Sequence, residues 1–167
     1  KDMCVIADKS GVLGLGGVIG GTRSGTEKET KNILLESAYF LPSSIRKTSK
    51  FLSLETDAKF RFERGIDPNS MLDGLKIATD LILKICGGEA SKFNISGKKE
   101  YKNKSIELET GKFKKTIGFS MTESEIKKIL NSLGFLTKST KKNLKVLIPT
   151  WRPDVNQEID LIEELIR

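Results

Sequence analysis

The chain has 167 residues, 37% apolar and 31% charged, with a formal net charge of +7: enough for one domain or two small ones around a core. It contains no histidine, which excludes a Ser-His-Asp triad, a Cys-His pair and any His-bearing zinc site built from this chain alone. No run approaches the roughly 20 apolar residues of a membrane-spanning helix, and no secretory signal opens the chain.

Val5-Ile6-Ala7 and Val12-Leu13 predict short strands around a Lys9-Ser10-Gly11 turn. The chain starts at Lys1, with Met3 inside an apparent strand, as an excised piece of something longer would. Cys4 and Cys86 lack metal-type spacing and read as buried, reduced residues of a cytosolic protein. Gly14 to Gly21 holds five glycines in eight positions, without the G-K-[ST] of a Walker loop or a clean G-x-G-x-x-G. Such a run permits tight turns between packed strands, or close approach of a ligand or neighbouring chain. Ile33-Leu34-Leu35 reads as a buried strand ending at Glu36, a carboxylate that lies in solvent or, if buried, needs a donor such as a ligand hydroxyl.

Pro42-Ser43-Ser44 starts a helix through Leu52. Thr56-Asp57-Ala58 offers small residues that leave room beside a pocket. Phe60 to Gly65 alternates aromatic and charged residues, as a strand-like segment with its aromatics in the core would. Its Arg61, Glu63 and Arg64 then form local ion pairs or face a phosphate. Asp67-Pro68 reads as a helix start, followed by Met71, Leu72, Leu75, Ala78, Leu81, Ile82 and Ile85 at helical spacing until Gly87-Gly88.

A boundary falls near residues 89–94, where the composition turns polar and lysine-rich. Residues 92–145 carry 14 lysines against 5 acids, net +9. That balance suits a nucleic-acid phosphate surface, or simply exposed strands and loops kept soluble by lysine. Ile106-Glu107-Leu108 predicts a strand. Thr122 to Glu125 has capping-box form ahead of Ile126, Ile129, Leu130 and Leu133, with Gly134 closing the helix. Leu144 to Ile148 predicts a strand stopped by Pro149. The fold class expected is α+β in two segments: a mixed α/β segment over 1–90 and a small α+β module over 91–167, winged-helix-like in arrangement.

After the Trp151-Arg152-Pro153 corner comes Asp154, then a helix with Asp160, Glu163 and Glu164 at i, i+3 and i+4, opposite Ile159, Leu161, Ile162, Leu165 and Ile166. Oxygen ligands at this density, with no thiol or imidazole near, suit a hard cation such as Mg²⁺. An ordinary charged helix face near a favourable N-terminal dipole is the alternative.

Five motifs in order resemble the beta subunits of bacterial phenylalanyl-tRNA synthetase: G-G-V-I-G-G (16–21), N-I-L-L-E-S-A-Y-F (32–40), T-D-A-K-F-R-F-E-R-G-I-D-P (56–68), I-C-G-G (85–88) and P-T-W-R-P-D…E-I-D-L-I-E-E-L-I-R (149–167). Lys59 departs from the usual serine, and Ser53 from glycine. The resemblance implies that 1–90 is the C-terminal half of a domain that hydrolyses tyrosine mischarged onto tRNA(Phe). Glu36 would accept the tyrosine hydroxyl, and Gly20, Thr56 and Ala58 would line the pocket. No catalytic side chain is assigned, and the fragment alone is expected to be inactive, since the family pocket also uses a histidine and an arginine from outside it. The resemblance further implies a small DNA-binding-like domain over 91–167. Mg²⁺ would be held by Asp154, Asp160, Glu163 and Glu164 in a site shared with the alpha subunit of a cytoplasmic alpha2beta2 enzyme. ATP would be used by that enzyme but not bound by this chain. The competing expectation is a non-enzymatic nucleic-acid-binding module built on the basic 92–145 segment.

Overall fold

A computed structural model describes residues 3–97, 101–141 and 143–167. The chain divides into two compact units, Lys1–Gly97 and Lys98–Arg167. Among the described residues they contain two small antiparallel sheets and six α-helices, a mixed α+β architecture.

The first unit opens with a three-stranded meander: β1 (Val5–Asp8), β2 (Gly11–Leu15) and β3 (Ile19–Gly20), ordered β1-β2-β3. The expected turn is present. Asp8 accepts the Ser10 N–H at 2.8 Å, and Arg23 bonds both Asp8 and the Gly11 carbonyl. Between β2 and β3, Gly17 sits at φ 68°, and a Cβ there would lie 2.8 Å from both Ile45 Cδ1 and Phe40 Cδ2. This part of the glycine run therefore serves close packing inside the unit. Val18, at the end of that turn, and Ile45 are the buried apolar side chains of this unit among the described residues.

Helix α1 (Pro42–Leu52) follows the expected bounds, with proline at its start and Ser53 in the left-handed region at its end. Helix α2 (Asp57–Phe62) stands where a strand-like segment was expected. Thr56 caps it by accepting the Lys59 N–H at 3.0 Å, and that local bond decides against extension. Phe62 still packs inward, edge-on to Phe40 at 5.2 Å, while Phe60 stays outside under the Arg64 guanidinium. Helix α3 (Met71–Cys86) begins later than Asp67-Pro68. Asp67 accepts the Asn69 N–H in a turn that precedes it, and Gly87 stops it at φ 72° as expected. No residue of α3 is buried.

Ile33-Leu34-Leu35 is not a strand; it is irregular and exposed, Leu34 at 95%. An apolar run gains strand structure only with a ladder neighbour, and the short meander here does not pair with it. The cysteines also depart from expectation: Cys4 is half-buried and Cys86 exposed, both free.

The second unit folds around β4 (Lys104–Leu108), α4 (Thr110–Ile117), α5 (Glu123–Ser132), β5 (Leu136–Ser139), β6 (Leu144–Ile148) and α6 (Glu158–Ile166). Its sheet runs β4-β6-β5, all antiparallel, with Leu108 opposite Leu144 and Leu136 opposite Leu147. Leu144, Val146 and Ile148 alternate onto the buried face of β6, as period-two patterning requires. Against them pack Phe113, Ile126, Leu130, Phe135, Val155, Leu161, Ile162 and Leu165 in one core. The Thr122–Glu125 capping box is present. Helix α4 and strand β5 lie outside the sequence expectation, because short lysine-rich segments carry too few apolar positions to reveal their period. Lys98, Lys99 and Lys142 of the basic segment lie outside the described residues.

Candidate functional site

Two groups of residues were expected to carry chemistry, one in each unit. In the first unit Thr56 makes two bonds. Its hydroxyl caps α2, and it donates to the Val18 carbonyl at 2.6 Å, so the start of α2 is tied to the glycine turn that leads into Gly20. Ala58 lies in the first turn of α2, half-buried, and Gly20 is exposed at the end of β3 with open space where a Cβ would stand. Three of the four expected pocket residues thus belong to one fastened region. Glu36 is exposed on the irregular stretch, and the next residue, Ser37, is anchored elsewhere, donating to the Met71 carbonyl of α3 at 2.8 Å. Lys59, the departure from the family pattern, is held between Glu55 at 2.8 Å and Glu63 at 3.3 Å. The bond to Glu55, then that to Glu63, keeps its ammonium charged to higher pH than usual.

In the second unit the acidic group is built around a cation. Arg152 donates Nε to Asp154 Oδ1 at 3.0 Å and Nη2 to Oδ2 at 2.8 Å. The same Nη2 donates to Glu164 Oε1 at 2.7 Å, with Nη1 at 3.3 Å from Oε2. The guanidinium carbon sits 5.3 Å from the centre of the Phe135 ring, and the side chain is 16% exposed. Asp154, then Glu164, holds Arg152 above the ordinary arginine range, and Arg152 holds the Asp154 carboxyl below the ordinary aspartate range. Asp160 stands apart from the clamp. Its Oδ2 accepts the N–H groups of Asn156 and Gln157, both at 2.8 Å, closing a capping box at the start of α6. Glu163 is exposed. Among the described residues no group of three or more carboxylates or thiols is placed to hold a metal ion.

From sequence, Arg152 is visible only as part of a rigid corner, although R-x-D ahead of an acidic helix was an available signal. Glu158, outside the sequence expectation, accepts the Glu109 N–H at 2.7 Å and pairs with Lys112, fastening α6 to the start of α4. An open groove of about 570 Å³ runs past the clamp, lined by Ile129, Ser132, Leu133, Arg152, Asp154, Glu164 and Arg167.

Residues 1–87, more than half of the chain, match the B3/4 domain model. The chain belongs to the B3/4 domain family. Behind its B3/4 segment, residues 106–167 match the tRNA synthetase B5 domain. The B3/4–B5 chain is 39% identical to the phenylalanine–tRNA ligase beta subunit of Mesorhizobium japonicum, over 99% of this chain and 21% of that protein. It is 40% identical to the same subunit of Rhodopseudomonas palustris over 100% of this chain and 21% of that one, and 42% identical to that of Novosphingobium aromaticivorans over 99% and 20%. The chain therefore spans about a fifth of the length of the curated relatives it matches. A solved N-terminal fragment of the phenylalanyl-tRNA synthetase beta-subunit from Pyrococcus horikoshii is 23% identical over 38% of this chain and 18% of that one, at TM-score 0.36. That likeness is too slight to carry an argument. No helix among the described residues is long and apolar enough to cross a membrane.

Proposed function

We propose that this chain is a piece of the beta subunit of a phenylalanine–tRNA ligase, contributing part of an editing pocket in its B3/4 segment and a subunit-facing B5 segment. The observation that carries the reading is similarity running through both domain models, in order, over 99–100% of the chain. The whole enzyme joins phenylalanine to tRNA(Phe) with ATP bound elsewhere, and works in the cytoplasm as an alpha2beta2 assembly. In editing, water cleaves the ester of mischarged tyrosyl-tRNA(Phe), releasing tyrosine and free tRNA. Glu36 accepts the tyrosine hydroxyl, while Gly20, Thr56 and Ala58 shape the pocket wall. A synthetic site built for phenylalanine rejects an added hydroxyl weakly, whereas a second site that bonds the hydroxyl selects for it. Thr56, fastened to Val18, is well suited to hold that wall, and Glu36, exposed in this chain, is free to meet a ligand.

We read the B5 segment as winged-helix-like, on the strength of two helices, α4 and α5, followed by the β5–β6 hairpin. Mg²⁺ at Asp154, Asp160, Glu163 and Glu164, shared with an alpha subunit, belongs to the reading of the assembled enzyme. The chain's own arrangement does not fit the ion. Two of the four carboxylates are already paired to Arg152 and a third caps α6. The separate nucleic-acid-binding module has no support in the relatives. Lys104, Lys112 and Lys127 of its basic segment are instead bonded to Asn156, Glu158 and Glu123.

The test is Glu36→Ala in the full enzyme. Hydrolysis of tyrosyl-tRNA(Phe) should slow by at least about tenfold while phenylalanine activation is unchanged. Undiminished hydrolysis removes Glu36 from this role.

A further inference from the structure

We infer that Arg152 is the resident counter-ion of the acidic end of the second unit, occupying the position between Asp154 and Glu164 that a divalent cation would need. In this chain the carboxylates consequently form a protein-only clamp, not a metal site. The inference concerns the chain by itself and rests on no part of the proposed editing activity.

Three observations converge on it. The first is connectivity: one guanidinium nitrogen, Nη2, bonds Asp154 at 2.8 Å and Glu164 at 2.7 Å, while Nε and Nη1 take the second oxygen of each. Each carboxylate is thus engaged through both oxygens, the fork geometry in which arginine is strongest and lysine a poor substitute. The second is packing. The guanidinium lies over Phe135, a core residue, and its side chain is 16% exposed, as is fitting for a cation with a fixed seat. The third is the bonding of Asp160, one of the two carboxylates outside the clamp, the other being the exposed Glu163. Asp160 commits Oδ2 to two backbone N–H groups that cap α6, so it could not grip an ion through both oxygens without giving up that cap. A hard cation entering here would have to displace Arg152 and leave a guanidinium uncompensated against an apolar ring, which the interior disfavours.

What the clamp does follows from where its ends lie. Asp154 precedes α6 and Glu164 lies in its last turn, so one side chain fastens the Pro153 corner to the helix. The groove beside it leaves the clamp accessible to an approaching ion, so a failure to bind one is not explained by burial.

The experiment uses the 167-residue chain and Mg²⁺ or its paramagnetic substitute Mn²⁺. The Arg152 Nε–H resonance should be resolved and should keep its position through Mg²⁺ titration, and Mn²⁺ should cause no saturable broadening at Asp154 or Glu164. Arg152→Met should bind Mn²⁺ at least about tenfold more tightly than the parent chain, because two adjacent carboxylates lose their partner. Arg167→Met removes a positive charge from the same groove without touching the clamp, and should leave Mn²⁺ affinity unchanged. The inference is overturned if saturating Mg²⁺ shifts the Arg152 Nε–H signal in the parent chain. It is equally overturned if Arg152→Met gains no affinity, or if Arg167→Met gains as much. Should Arg152→Met fail to fold, the parent-chain titration alone decides.

Discussion

The two units differ sharply in how much they keep from water. Of the buried apolar side chains among the described residues, Val18 and Ile45 belong to the first unit and the other twelve to the second, although the first is the longer. The first unit leaves Ile33, Leu34, Phe51, Ile77, Leu81 and Ile85 exposed, the last three on a 16-residue helix with no buried position. One unit holds a closed core; the other displays local structure whose apolar faces are open. Local signals such as caps, glycine stops and turns shape both, but only long-range packing separates them, and it supplies most of the stability of a helix in water.

The largest expected effect breaks the second unit alone. Phe135 is fully buried between α5, β5 and the Arg152 guanidinium, so Phe135→Ala should cost that unit about 3–5 kcal/mol. Denaturant unfolding combined with peptide-resolved hydrogen exchange checks it: exchange across β4–β6 should accelerate while β1–β2 stays as it was. Equal acceleration in both units would mean that they fold as one body and would dissolve the contrast.

Glycines offer a matched pair of smaller probes. Gly134 sits at φ 85° with Trp151 Cζ2 2.9 Å from the place of a Cβ, and Gly17 at φ 68° meets Ile45 and Phe40. Alanine at either site should cost about 1–3 kcal/mol from backbone strain and crowding. In the second unit the loss should appear as a shifted midpoint. In the first, which has little core to lose, it should appear as exchange already near its local limit. Next in size is Thr122→Ala, which removes the hydroxyl half of a capping box while leaving the residue-122 N–H bonded to Glu125, and should lower the second unit's stability by about 1 kcal/mol. At the bottom of the scale, Ile77→Lys with Leu81→Lys should alter stability by no more than about 0.5 kcal/mol while reducing binding of an apolar dye. A loss of several kcal/mol would show that α3 is packed after all.

How much was legible follows the same division. Thr122 to Leu133, Leu144 to Ile148 and the acidic helix were readable because period, cap and stop agree there with burial. Ile33-Leu34-Leu35 misled because an apolar run looks alike whether or not a neighbour exists to pair it. Phe60 to Gly65 misled because alternation over so few residues fits either period, and Thr56 decided for a helix. At the acidic end the density of carboxylates was visible in sequence. Their partner was not, since a bidentate arginine twelve positions from Glu164 depends on a corner that only the fold supplies.

Acid titration turns the contrast into a pH profile with a defined sign. Glu125 accepts the Thr122 N–H and hydroxyl at 2.7 Å each, and the backbone bond, then the hydroxyl, holds its carboxyl below the usual glutamate range. In the first unit the Ser10 N–H, and then Arg23, lowers Asp8 in the same way. A group whose folded pKa is depressed binds fewer protons folded than unfolded. Its contribution is therefore complete above the unfolded pKa, near 4.5 for Glu125 and 3.8 for Asp8, and is lost as pH falls through the lower folded value. Both groups are exposed, so the effect is modest, but its address is specific. Glu125→Gln should flatten the acid dependence of exchange at the start of α5 and leave the β1–β2 turn unchanged, and Asp8→Asn should do the reverse. If either substitution moved both profiles, protonation would be acting on the chain as a whole, and the independence of a closed unit from an open one would fail at its most sensitive point.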